Sequence, residues 1–279
     1  MSGSGAAVTS SAMGKPIPFR GGQVATGDAP ALCAALVGDT EAALCAEALI
    51  LLGQRPDLLE WRADHLGLAA DPVALTAAAV ALRKVLSGSV REGGVRGGGA
   101  PVPLLITLRA AREGGVDRGL DDVQRAQRLA DLVRAGHADL VDLEAASDPA
   151  ALGVLRAACR EAGVPLLLSA HDFGRTPPVD EMVAVFARMA ALGADIAKLA
   201  VMPRSEADVA ALLEATAVAG RSLSIPLVSM SMGELGVQSR VIGHRHGSRI
   251  TWGSGVAASA PGQLPLSVLR RSVEASLRP

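Results

Sequence analysis

The stretch PLLLSAHDFGRTPPVDEMVAVFARMAALGADIAKLA (165–200) holds one complete unit of the fold. It opens with a short apolar run (165–170) and turns through a loop carrying Gly and Pro. Apolar residues then recur at helical spacing over 178–191, and a second apolar run (194–200) follows Gly193. Strand, helix, strand is the reading, and a crossover of this length joins parallel strands.

Working outward, the same alternation fills the chain. The other apolar runs are ALCAALV (31–37), DLLEWR (57–62), PLLITLR (103–109), ADLVDLE (138–144), IPLVSMS (225–231) and RITWG (249–253). Helical periodicity also covers 71–86, 119–135, 148–162, 204–219 and 264–277. Gly136, Gly163, Gly193 and Gly220 stand where helix C-caps are expected. Eight runs with helices between them fit a (β/α)8 TIM barrel, and 279 residues suit that architecture. An open doubly wound sheet is the alternative that counting leaves standing.

At the margins, residues 1–14 (MSGSGAAVTSSAMG) read as a disordered tail, and 15–279 as a single barrel domain. Residues 15–29 combine Pro and Gly with short apolar pieces, as a short hairpin placed to close the barrel bottom would. The Gly-rich segment 87–101 lacks GxxxxGK[ST] and leads into a strand, so it reads as a flexible insertion and not a phosphate loop.

Composition excludes several classes. A net charge of −1 lacks the basic excess of an electrostatic nucleic-acid binder. Two Trp, three Phe and no Tyr are too few for a base-stacking platform. No apolar run reaches membrane-spanning length, and the N-terminus shows no charged segment followed by an apolar one. Cys33, Cys45 and Cys159 are scattered among apolar neighbours, which suits buried thiols in a reducing cytoplasm.

Candidate chemistry gathers at the C-terminal ends of the runs, where barrel enzymes carry their sites. Lysine occurs only at 15, 84 and 198, and Lys198 lies inside an apolar run. Desolvation favours the neutral amine, the form that attacks a ketone; a structurally paired lysine is the other reading. His171 begins the loop after the fifth run, next to the run of Lys198, within reach for proton transfer. Glu60 and Arg62 alternate on the second run and so share a face. Arg109 ends the third run and Glu113 follows it. Such charges bind a polar ligand or form a salt-bridge layer. Arg240 follows the seventh run, and Ser259 and Gln263 the eighth; arginine is the natural partner for a carboxylate. His244 and His246 lack acidic or Cys companions and read as a solvated basic helix end. His65 receives no role, and His137 reads as structural.

LLEWRADH (58–65), ITLRAAREGG (106–115), DLVDLE (139–144), LSAHDFGRTP (168–177), LGADIAKLAVMP (192–203), SMSMGELGVQSR (229–240) and SAPGQ (259–263) occur in this order. Through these motifs the chain resembles the type I 3-dehydroquinate dehydratases, from about residue 30 to the end. The resemblance implies a (β/α)8 barrel, a cytoplasmic homodimer, and a lyase of the shikimate pathway with no metal or organic cofactor. It implies that Lys198 forms a Schiff base with 3-dehydroquinate, that His171 is the general base and then the acid, and that Glu113 orients it. Glu60, Arg62 and Arg109 match positions holding the substrate's hydroxyls. Arg240 and Gln263 match those binding its carboxylate, with Ser259 touching the ligand nearby. One departure is Ala35, where the family often has serine; a lost hydroxyl contact weakens binding by about 0.5–1.5 kcal/mol. A class I aldolase would share the lysine without the Glu60–Arg62 and Arg240–Gln263 sets. A non-catalytic barrel would have no use for Lys198 and His171 together.

Overall fold

A computed structural model describes residues 14–88, 101–257 and 259–278. Its elements in chain order are β1 (Ile17–Phe19), β2 (Gly22–Val24), β3 (Ala31–Leu36), α1 (Glu41–Gly53), β4 (Leu58–Arg62), α2 (Pro72–Gly88), β5 (Leu104–Thr107), α3 (Asp122–Arg134), β6 (Leu140–Glu144), α4 (Pro149–Ala162), β7 (Leu166–Asp172), α5 (Val179–Ala191), β8 (Ile196–Val201), α6 (Glu206–Ser222), β9 (Leu227–Ser231), α7 (Val237–Ile242), β10 (Ile250–Gly253) and α8 (Leu266–Ser276).

Strands β10 and β3 to β9 form one parallel sheet in the order β10-β3-β4-β5-β6-β7-β8-β9. A bridge between Leu227 and Ser248, with the Arg249 N–H donating to the Leu227 carbonyl at 2.9 Å, draws β9 to β10. The result is a (β/α)8 TIM barrel, as the run count anticipated. Helices start where short polar side chains satisfy their free N–H groups: Thr40, Asp121, Asp148 and Ser205 each accept from the first turn.

Two apolar layers follow from the period of two along each strand. One face of each strand packs against the helices, as Trp61, Ile106, Leu143 and Leu168 do, with Phe186 meeting them from α5. The other face fills the lower barrel with Cys33, Leu58, Leu105, Leu140, Leu167 and Ile196. Ile17 from the β1–β2 hairpin joins this inner cluster fully buried, and the Arg20 N–H donates to the Asp139 carbonyl at 2.9 Å just before β6. The hairpin therefore plugs the end of the barrel opposite the C-terminal strand ends.

Several local expectations are corrected. Helices α1 and α7 fill gaps between runs that had no helical range of their own: α1 is apolar nearly all round, with Leu49 and Ile50 exposed, so it lacks a clean stripe. Gly220 is no cap, because α6 runs on to Ser222 and packing overrides propensity. β7 extends through Asp172, so His171 lies on a strand paired with Ala200 and not in a loop. His244 is buried in a short 3-10 turn (243–246) that packs against α6, not solvated. Cys45 is half-buried, whereas Cys33 and Cys159 are buried. The expected tail, apart from Gly14, and the Gly-rich insertion, apart from its ends, fall outside the described residues. No described helix is long and apolar enough to cross a membrane.

Candidate active site

Above the apolar plug the inward positions turn polar. The register aligns Glu60 with Ala35 and Leu105, Thr107 with Arg62 and Asp142, Ser169 with Glu144 and Lys198, and Trp252 with Cys33. Inward residues two apart on neighbouring strands thus form rings around the barrel axis. A cavity of about 680 Å³, its open mouth included, sits on these rings. Every one of the nine residues singled out from the sequence lines it: Glu60, Arg62, Arg109, Glu113, His171, Lys198, Arg240, Ser259 and Gln263.

Lys198 is buried, with Nζ 3.6 Å from Asp142 Oδ2 and 4.4 Å from the centre of the Trp252 ring. Asp142 is itself pinned by Arg109 Nη2 at 2.7 Å and by the Ser169 hydroxyl at 2.6 Å. Burial opposes its charge, but Arg109, Lys198 and these hydrogen bonds hold the carboxyl below the usual range. Arg109 Nη1 also donates to Glu144 at 2.9 Å, and Glu144 accepts from Arg125 at 2.7 Å. Burial works against the Arg109 charge as well, yet Asp142 and Glu144 raise its affinity for the proton. These buried charges are matched one against another, the condition under which such a lattice persists in low dielectric.

His171 and Glu113 form a dyad. Glu113 Oε2 lies 2.9 Å from His171 Nδ1 and accepts the His171 backbone N–H at 3.1 Å. Burial raises the Glu113 carboxyl to about 7; Glu144 and Asp142 add to this and Arg109 opposes it. Burial, then the charges of Arg109, Lys198 and Arg62, hold His171 well below the ordinary histidine value, so the ring is neutral near pH 7. Glu113 sits on a 3-10 turn (111–113) that ends at Gly114 with φ 83°. A Cβ on Gly114 would meet the Phe173 ring at 2.6 Å, and one on Gly115 would meet the Arg109 carbonyl at 2.1 Å. The EGG sequence is what allows this turn to fold back over the site.

Glu60 accepts from the Thr107 hydroxyl at 2.7 Å and from Trp252 Nε1 at 2.8 Å. Arg62 does not pair with Glu60; its guanidinium is held in a two-point pair by Asp64 at 2.9 and 2.8 Å. Asp64 is fully buried and also accepts the backbone N–H groups of Arg109 and Val116. The salt-bridge layer weighed from sequence is therefore present through Arg62 and Arg109, which also line the cavity together with Glu60. Arg240 differs from the others. It is buried, donates to the Pro261 carbonyl at 3.0 Å, leaves Nε without a partner, and faces no carboxylate among the described residues. Burial lowers it to about 10. Beside it Ser259 and Gln263 hydrogen-bond to each other at 2.8 to 3.3 Å. An unmatched guanidinium on a cavity wall has donors free for an anionic group such as a carboxylate.

Asp142, Ser169, Asp64 and Trp252 were missed as site residues. Asp142 and Glu144 carried a signal, since they alternate on β6 as Glu60 and Arg62 do on β4. His65 stands 3.8 Å from Asp64 but off the cavity, and the His137 carbonyl accepts from Arg83, a structural contact. Among the described residues no group of three or more His, Cys, Asp or Glu could hold a metal ion.

A sequence profile described as Type I 3-dehydroquinase matches residues 32–276. The chain belongs to the type I 3-dehydroquinase family. That family is one of hydro-lyases. A 3-dehydroquinate dehydratase from Aromatoleum aromaticum is 39% identical over 263 residues, covering 94% of this chain and 96% of that protein. Among solved type I 3-dehydroquinases and their relatives, the 3-dehydroquinate dehydratase of Geobacillus kaustophilus superposes with a TM-score of 0.86 at 35% identity, covering 95% of this chain and 98% of that one. The type I enzyme of Clostridium difficile, described with covalently modified comenic acid, gives 0.84 at 29% identity, with coverage of 95% and 98%.

Proposed function

We propose that this 3-dehydroquinase removes water from 3-dehydroquinate through an imine on Lys198, giving 3-dehydroshikimate. The carrying observation is the register of β7 and β8: Ser169 pairs with Lys198 and His171 with Ala200, so lysine and histidine open on one cavity from adjacent strands. The Clostridium difficile enzyme is described with covalently modified comenic acid, which is in keeping with a covalent step.

Each group has a task its surroundings suit. Arg240 and Gln263 bind the substrate carboxylate, with Ser259 beside them, while Glu60, Arg62 and Arg109 hold hydroxyls. Lys198 Nζ adds to the ketone; loss of water leaves an iminium, which draws electrons from the adjacent C–H. Neutral His171 removes that proton, and the ionised Glu113 balances the imidazolium that forms. The resulting enamine expels the hydroxyl as His171 returns the proton to it. One base serving both steps on one face is a syn elimination. Water then hydrolyses the product imine and frees Lys198. No step calls for a metal or organic cofactor. The reading further includes a homodimer, with 3-dehydroquinate as the small-molecule partner, working in the cytoplasm in aromatic biosynthesis; sedimentation velocity tests the dimer.

The chemical test is borohydride reduction in the presence of 3-dehydroquinate, followed by peptide mass mapping. A ligand adduct on the Lys198 peptide, absent in Lys198→Ala, is expected. No adduct, with turnover that survives Lys198→Ala, refutes the mechanism.

A further inference from the structure

Trp252 has no place in the scheme above, yet it touches two of its members. The indole is buried on β10 and lines the cavity. Its Nε1–H donates to Glu60 Oε2 at 2.8 Å, across β3 to β4, between residues 192 apart in sequence. Its ring face lies 4.4 Å from Lys198 Nζ, reached in the other direction across β9 to β8. The reach over β3 is open because the inward residues there are small, Cys33 and Ala35, and Ala35 is the register partner of Glu60. Where a serine at position 35 would offer a hydroxyl, the indole N–H supplies a donor instead.

We propose that Trp252 is a positioning residue for the imine chemistry, its N–H aiming Glu60 and its ring face holding the Lys198 nitrogen where the ketone arrives. This rests on the imine reading above. With Thr107 on one oxygen and Trp252 on the other, the Glu60 carboxylate cannot rotate, and each oxygen keeps a lone pair for a substrate hydroxyl. An aromatic face attracts a cation in front of it. The Lys198 nitrogen is cationic as the ammonium and again as the iminium, and neutral in the carbinolamine and enamine. The ring therefore favours the electron-poor iminium over the neutral species on either side of it.

The two functions separate by substitution. Trp252→Phe keeps a ring face and removes the N–H. It is expected to raise KM roughly tenfold, the worth of a hydrogen bond to a charged group, with little change in kcat. In a Glu60→Gln background the same substitution should leave KM and product affinity nearly unchanged, because the charged acceptor is gone. Trp252→Leu removes the ring as well and should lower both kcat and the fraction of Lys198 trapped by borohydride at saturating substrate. Unchanged KM in Trp252→Phe, or an equal rise with and without Glu60, overturns the orienting role; a purely structural tryptophan would give the latter. An unchanged trapped fraction in folded Trp252→Leu overturns the role of the ring. If Trp252→Leu does not fold, the Phe variant and the Glu60 cycle still decide the orienting role. Wild-type enzyme with no Lys198 adduct defeats the imine reading itself, a separate result.

Discussion

Glu113→Gln deletes a charge from a place that burial makes unfavourable for it. The carboxyl rises from an ordinary 4.5 to about 7 in the folded protein, with a side chain only 10% exposed. Between those values the folded chain binds more protons than the unfolded chain, so stability falls as pH rises through the window. Below the lower value both states are protonated and no penalty exists; above the upper one it is complete. The shift from 4.5 to about 7, at about 1.4 kcal/mol per unit, corresponds to about 3 kcal/mol as an upper figure. Glutamine has the same shape, and His171 offers two donors, its backbone N–H and Nδ1–H, to the single atom Oε2. The amide oxygen takes that position, which keeps Nε2 as the free base. Urea unfolding followed by circular dichroism should show no difference near pH 4, and the variant more stable by up to about 3 kcal/mol near pH 8. Activity should move the other way. In the wild type the acid limb of kcat/KM should lie near 7, because protonating Glu113 removes the charge that balances the imidazolium. In the variant the limb should move down toward the lower value of His171, and kcat should drop because the imidazolium has lost its counter-charge. A variant no more stable near pH 8, or a difference that does not change with pH, refutes this account of the dyad.

Further outcomes follow from the same geometry. Arg240→Ala removes the guanidinium that faces no carboxylate of its own; KM should rise roughly 10- to 100-fold, with a smaller change in kcat, in steady-state assays. His171→Ala should lower kcat by about 10²- to 10⁴-fold while borohydride still traps substrate on Lys198, since imine formation precedes proton removal. Ile17→Ala opens a hole in the barrel floor and should cost about 2–4 kcal/mol in urea unfolding, with KM unchanged because the plug lies beneath the polar rings.

The alternation around 165–200, repeated along the chain, was enough for parallel strands alternating with helices, and the ordered family motifs were what favoured the barrel over an open doubly wound sheet. Strand and helix periods are local properties of neighbouring side chains. Glu60, Arg62 and Lys198 were legible for the same reason: a charged residue in a short apolar run has few ways to be accommodated. Local pattern also set limits. α1 carries no polar stripe, so its range could not be read, and His171 seemed to leave a strand that in fact continues beside β8. What the ring closure decided is which distant residues meet. Lys198 finds Asp142, Arg109 bridges β6 and β7, and Trp252 crosses β3 to reach Glu60. These contacts depend on strand register and on the size of the residues between. The polarity and period of a single segment contain neither, so the sequence alone determined the barrel and its candidate groups, and the tertiary structure determined which charges hold one another in place.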